Sequence, residues 1–122
     1  MPHPTYMLLY VDNPQASAAF YRTLLDCEPV ENAPTFVLFV LQSGLKLGLW
    51  SRHTAIPAPV AAGGGGEIAI AVDTPQAVDA THAAWSARGL PVLQAPSDVD
   101  FGRTFVALDP DGHRLRVLAL AQ

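Results

Sequence analysis

The hydrophobic positions of the chain fall into two series of the same form. Thr5–Val11 is a run of β-formers and aromatics and predicts a strand. Asp12 or Asn13 is placed to cap the following helix, and Pro14 suits its first turn. The helix, Gln15–Asp26, carries apolar Ala16, Ala19 or Phe20, and Leu24 at helical spacing. A short strand near Pro29–Glu31 follows, then Thr35–Gln42 and Leu45–Trp50 joined by a Ser43-Gly44 turn. The second series has the same order. It runs through strand Glu67–Val72, helix Pro75–Arg88 with a Gly89 stop, and a short strand near Pro91–Gln94. It ends in a hairpin, Arg103–Leu108 and His113–Leu118, about Asp109-Pro110-Asp111-Gly112.

The recurrence is also literal. Val11-Asp12-Asn13-Pro14-Gln15-Ala16 returns as Val72-Asp73-Thr74-Pro75-Gln76-Ala77, with five of six positions identical at an offset of 61, half the chain length. A matched motif with matched flanks predicts a duplicated βαβββ module. The expected bounds are about 4–54 for module 1, 55–66 for a linker and 67–120 for module 2. Ile56–Gly66 is rich in Ala, Pro and Gly, and its length permits the halves to pair within one chain or exchange between chains. Its four closing glycines are no phosphate cradle, since no Gly-Lys-Ser/Thr follows.

Composition narrows the classes of function. At 122 residues, 50% hydrophobic and 15% charged, the chain suits one folded domain and excludes a disordered one. Seven basic against eleven acidic residues give a net charge of −4, which argues against a nucleic-acid partner. The lone Cys27 excludes an internal disulfide and a thiolate zinc site, and it has no basic neighbour to make it a nucleophile. No apolar run approaches the roughly 18 residues of a membrane helix. The Met-Pro-His-Pro start lacks a signal peptide's basic and apolar segments, so a cytoplasmic domain with no membrane partner is expected.

The stretches Tyr10-Val11-Asp12, Ala19-Phe20-Tyr21-Arg22-Thr23-Leu24-Leu25 and Asp109-Pro110-Asp111-Gly112 carry a resemblance. Together they resemble the glyoxalase/bleomycin-resistance/extradiol-dioxygenase group, the vicinal oxygen chelate superfamily, over about residues 5–119. Phe101-Gly102-Arg103-Thr104-Phe105, Leu47-Gly48-Leu49-Trp50-Ser51 and the terminal turn through His113 are similar to its phenazine-resistance subgroup and related metal-free drug-binding members. The resemblance implies an α+β fold of tandem βαβββ modules, whose curled mixed sheets form a cup, commonly in a homodimer.

Metal-dependent members of that family place His or Glu ligands inside the cup. The corresponding positions here are Thr5, Lys46 or Gly48, Glu67 and Arg116. A guanidinium and an ammonium do not ligate a first-row metal and repel it, so no metal and no cofactor is expected. His3, His53, His82 and His113 are scattered and are expected to be solvated surface residues. A proton transfer through Glu67 is the remaining metal-free chemistry.

Strand alternation sets Thr5, Met7 and Leu9 against Tyr6, Leu8 and Tyr10. With Thr5 in the cup, Lys46, Gly48 and Trp50 join it from one strand, and Arg114, Arg116 and Leu118 from another. Leu45, Leu47, Leu49, Leu115 and Val117 then face the helices. Phe36 and Phe39 lie on opposite faces, so only one of them enters the cup, and the sequence does not say which; Phe39 is carried in the candidate set. Phe101, in a Ser97–Gly102 loop, either closes the pocket or packs on the surface; Trp85 is expected in the core.

The candidate ligand-binding set is therefore Trp50, Arg116, Glu67, Lys46, Gly48, Thr5, Phe39 and Phe101. Trp50 offers a stacking face, Arg116 a partner for a carboxylate, and Gly48 room beside the ring. The alternative for Glu67 and Arg116 is a salt bridge with each other across an empty cup. The expected function is non-catalytic capture of a small planar aromatic antibiotic or metabolite, phenazine-like or bleomycin-like, by a homodimer whose modules pair within or between chains. The alternatives are an enzyme of the same superfamily (a lyase, isomerase, dioxygenase or thiol transferase) and an accessory binding protein in antibiotic biosynthesis.

Overall fold

The computed structural model describes residues 2–121. The element order is β1 (Tyr6–Val11), α1 (Pro14–Leu25), β2 (Glu31–Ala33), β3 (Phe36–Val40), β4 (Lys46–Ser51), β5 (Glu67–Ala71), α2 (Pro75–Ala87), β6 (Val92–Val99), β7 (Gly102–Leu108) and β8 (Arg114–Leu120). The chain divides between Ala61 and Ala62 into two compact units, each βαβββ.

Each unit holds one open, four-stranded mixed sheet, in the orders β1-β4-β3-β2 and β5-β8-β7-β6. The first and last strands of each unit run parallel, β1 with β4 and β5 with β8, and the remaining pairs are antiparallel. Parallel neighbours need a long crossover, which the helix and hairpin supply. This is an α+β architecture.

The two helices start alike. Asn13 caps α1 by accepting hydrogen bonds from the Gln15 and Ala16 amides at 3.1 Å each, with Pro14 in the first turn. Thr74 caps α2 by accepting from the Ala77 amide at 3.1 Å, ahead of Pro75. Helix α1 ends on Asp26 in the left-handed region (φ 51°), a conformation Asp tolerates better than most residues. Its buried stripe is Pro14, Ser17, Ala18 and Tyr21. Ala16 and Ala19, expected inside, are exposed, because the helix is rolled by about one position from that placement.

The core of the first unit lies between α1 and the β-face of Leu9, Val11, Val37, Phe39, Leu47 and Leu49. That of the second unit places Val78 and Trp85 of α2 against Phe105, Leu115 and Val117. Trp85 meets the Phe105 ring edge to face at 5.4 Å. His82 also packs on Phe105, at 5.3 Å, so it is half-buried and not a solvated surface residue.

The terminal turn is held by a buried carboxylate. Asp109 Oδ1 accepts from the Asp111 amide at 2.9 Å and the His113 amide at 2.8 Å, while Gly112 (φ 83°) turns the chain back into β8. Strand β6 reaches Val99, beyond the short Pro91–Gln94 strand expected. Val99 pairs with Gly102, so Phe101 sits in a tight β6–β7 turn and not in a six-residue loop.

Candidate functional site

The register decides which side chains share a face. Tyr6, Leu8 and Tyr10 stand level with Lys46, Gly48 and Trp50 across the parallel pair. Trp50, Gly48 and Lys46 stand level in turn with Phe36, Leu38 and Val40. The face of the first sheet turned away from α1 therefore carries Tyr6, Tyr10, Phe36 and Trp50 together. The Tyr10 and Trp50 ring centres are 6.1 Å apart, and those of Phe36 and Trp50 are 6.4 Å apart, edge to face. Lys46 Nζ lies 5.1 Å from the centre of the Tyr6 ring, a cation–π contact. Tyr6 is 53% exposed and Tyr10 37%.

Three expected positions are corrected here. Thr5 has the parity of Met7 and Leu9, opposite to Trp50, because Tyr6 and not Thr5 stands level with Lys46. Phe39 is fully buried on the helix side, level with Leu47, and Phe36 is the phenylalanine beside Trp50. Gly48 leaves no room: a Cβ built there would stand 2.7 Å from Leu8 Cδ2 and 2.9 Å from Phe36 Cζ. Those two side chains already lie over the glycine and make a continuous apolar floor.

The second sheet's corresponding face is polar. Glu67 and Arg114 are level across β5 and β8, with Arg116 two residues further on. Arg116 grips Glu67 with both ends of its fork, Nε to Oε1 at 2.7 Å and Nη2 to Oε2 at 3.1 Å. Its Nη1 donates to Thr104 Oγ1 at 3.2 Å and Gln94 Oε1 at 3.4 Å, and Thr104 in turn donates to the Val117 carbonyl at 2.8 Å. Arg114 Nε is 2.9 Å from Glu67 Oε2 as an ion pair, but that buried N–H is not aimed well enough for a hydrogen bond. The Arg116 hydrogen bonds hold the Glu67 carboxyl below its ordinary pKa of 4.5, outweighing the effect of burial. Glu67 is therefore a fixed carboxylate, poorly suited to proton transfer near neutrality. The same bond raises the Arg116 guanidinium pKa.

Other titratable groups form separate clusters. His53 Nε2 lies 2.7 Å from Asp12 Oδ1. Arg103 bridges Asp79 of α2, at 2.8 Å, and Asp98 of β6, at 3.0 Å, which goes beyond holding a hairpin. Phe101 is 41% exposed at its turn. Burial, followed by Asp26 and Glu28, pushes the Cys27 thiol pKa up, the wrong direction for a nucleophile.

Tyr6, Tyr10, Phe36 and Gln94 are missing from the set expected from sequence. The repeat carried the signal for one of them: at its offset of 61 residues, Tyr6 and not Thr5 is the counterpart of Glu67.

The model of the Glyoxalase/Bleomycin resistance protein/Dioxygenase superfamily matches residues 3–117. The chain belongs to that superfamily. It is 33% identical over 120 residues to the Phenazine antibiotic resistance protein EhpR of Enterobacter agglomerans, spanning 96% of this chain and 92% of that one. The solution structure of protein ATC0852 from Agrobacterium tumefaciens is 56% identical over the full length of both chains, with a TM-score of 0.93. A glyoxalase-related enzyme from Fulvimarina pelagi superposes with a TM-score of 0.85 at 21% identity, over 98% of this chain and 88% of its own, a likeness of fold.

The metal that many superfamily members use does not suit these residues. Both oxygens of Glu67 are taken up by Arg114 and Arg116, and Lys46 and Arg116 are cations. Among the described residues no group of three or more His, Cys, Asp and Glu is gathered as such an ion requires. No helix among them is long and apolar enough to cross a membrane.

Proposed function

We propose that this superfamily member binds and sequesters a planar aromatic antibiotic or related metabolite without transforming it. The observation that carries this is the open face of the first sheet, where Tyr6, Tyr10, Phe36 and Trp50 surround an apolar floor of Leu8, Gly48 and Leu38. An aromatic ligand laid on Trp50 gains about 0.5–1.5 kcal/mol per ring pair beyond area burial. The affinity expected from stacking and apolar burial is micromolar or weaker, about −8 kcal/mol at most. Similarity to EhpR, a phenazine antibiotic resistance protein, supports the aromatic class. Capture would lower free drug by mass action.

In the second module, Glu67 and Arg116 act on this reading as a mutually neutralised, rigid pair. A ligand carboxylate reaches Arg116 only by displacing Glu67. The ligand-competent particle is expected to be a homodimer, which sedimentation velocity measures directly.

The test is fluorescence titration with phenazine. Trp50 is half-buried on the open face and Trp85 is 5% exposed in the core, so saturable quenching reports Trp50. Trp50→Leu is expected to weaken binding about tenfold, read by calorimetry. Absence of saturable quenching with phenazine and with a panel of aromatic antibiotics would overturn the proposal, as would ligand turnover detected by mass spectrometry.

A further inference from the structure

The first module's open face is not electrically neutral along its length. Lys46 and Trp50 occupy the same face of β4, four residues apart, about 13 Å along the strand at the usual rise. That span is comparable with three fused six-membered rings and one substituent. The floor between them, Leu8 and Phe36 folded over Gly48, offers no polar atom to a ligand. At the Lys46 end, the Tyr6 ring holds the ammonium near its face at 5.1 Å. No carboxylate among the described residues forms an ion pair with Lys46, whereas Arg114 and Arg116 of the second sheet both converge on Glu67. One acidic residue of the edge strand shares the face: Glu31 of β2, level with Leu38. It stands in the Gly48 row, about 10 Å across the sheet from β4 at ordinary strand spacing.

We propose that this face selects an anionic planar aromatic, a fused-ring carboxylate, with the ring on Trp50 and Tyr10 and the carboxylate on Lys46. A ring lying on the floor strips water from the Lys46 side of the face. That strengthens the attraction beyond the value of a fully solvated pair. Glu31, level with Gly48 at the β2 margin, disfavours a carboxylate turned toward that margin, while the choice between the two ends of β4 is set by Lys46. Tyr6 holds the Lys46 ammonium over its ring and lowers the entropy lost on pairing. Lys46 is thus the residue that sets ligand charge, and Trp50 the residue that sets ligand shape.

The inference rests on the binding function proposed above, and a ring-matched pair of probes separates the two. Phenazine and phenazine-1-carboxylate are titrated into the full-length protein, with calorimetry giving each Kd. The carboxylate is expected to bind roughly fivefold more tightly at low salt, with the ratio falling as ionic strength rises. In Lys46→Met the ratio of the two dissociation constants is expected to fall to about one, in Lys46→Glu to invert, and in Lys46→Arg to persist. Equal binding of the two probes by the wild type, or a preference that survives Lys46→Met, would overturn the charge assignment while leaving aromatic capture intact. Failure of both probes to bind would overturn the charge assignment, and aromatic capture falls with it when the antibiotic panel also gives no saturable quenching. Far-ultraviolet dichroism of each variant shows whether a lost ratio reflects a lost fold.

Discussion

The two modules share a plan and differ in what they put on their open faces. Aligned by strand register, Tyr6 corresponds to Glu67, Leu8 to Ala69 and Tyr10 to Ala71. Lys46, Gly48 and Trp50 correspond to Arg114, Arg116 and Leu118, and Phe36 to Thr104. One face is aromatic with a single cation, and the other is a closed ion-pair network on small side chains. The helix sides stay apolar in both, though the large residue changes place: Val37 and Phe39 of the first module correspond to Phe105 and Ala107 of the second. The two modules agree in what each sheet needs to pack on its helix and differ in chemistry on the opposite faces, which are free of that demand.

The comparison breaks most severely at the helix sides. Phe105→Ala and Phe39→Ala each remove a fully buried ring and are expected to cost about 3–5 kcal/mol, measured by denaturant unfolding. A much smaller cost for one of them would show that the modules are not equally packed. Next comes Glu67→Gln, which leaves two guanidinium groups without their counterion, at about 1–3 kcal/mol near neutral pH. Its pH dependence has a definite sign. The folded-state carboxyl pKa lies below the ordinary 4.5, so the stabilisation is complete above that value and is lost as pH falls through the folded-state pKa. The stability gap between wild type and Glu67→Gln should therefore shrink in acid, as urea titrations from pH 7 downward would record.

A smaller effect is expected from Gly48→Ala. The added methyl must push aside Leu8 and the Phe36 ring, whose contacts are side-chain ends and can yield, at about 1 kcal/mol. Because Phe36 leans on Trp50, the variant should also shift Trp50 emission. Smallest are the caps. Asn13→Ala and Thr74→Ala should each cost about 0.5–1 kcal/mol, with Asn13 the larger since it serves two amides and Thr74 one, as differences in thermal midpoint would show.

Strands with polar–apolar contrast were legible from sequence. On β4, Lys46, Gly48 and Trp50 alternate with Leu47 and Leu49, and on β8 Arg114 and Arg116 alternate with Leu115 and Val117, so their faces follow directly. Strand β1, Tyr-Met-Leu-Leu-Tyr-Val, is apolar on both sides and gives no such contrast, so the face of Thr5 follows only from the pairing with β4. Phe36 against Phe39 is the same ambiguity within β3, resolved only by pairing with β4. The filled space over Gly48 depends on Leu8 and Phe36, contributed by two other strands, and no local pattern encodes it. The sequence pattern of β6 stops short of Val99 because Pro96 interrupts its alternation.

The irregularity of β6 has a use. It is the outer strand of its sheet, and an outer strand with a regular row of free amides invites other polypeptides to add to it. Here Pro96 supplies no amide hydrogen and two register shifts spoil the repeat, while Arg103 clamps Asp98 to the helix-borne Asp79. At high concentration in a crowded cell, this margin is a poor seed for fibrils.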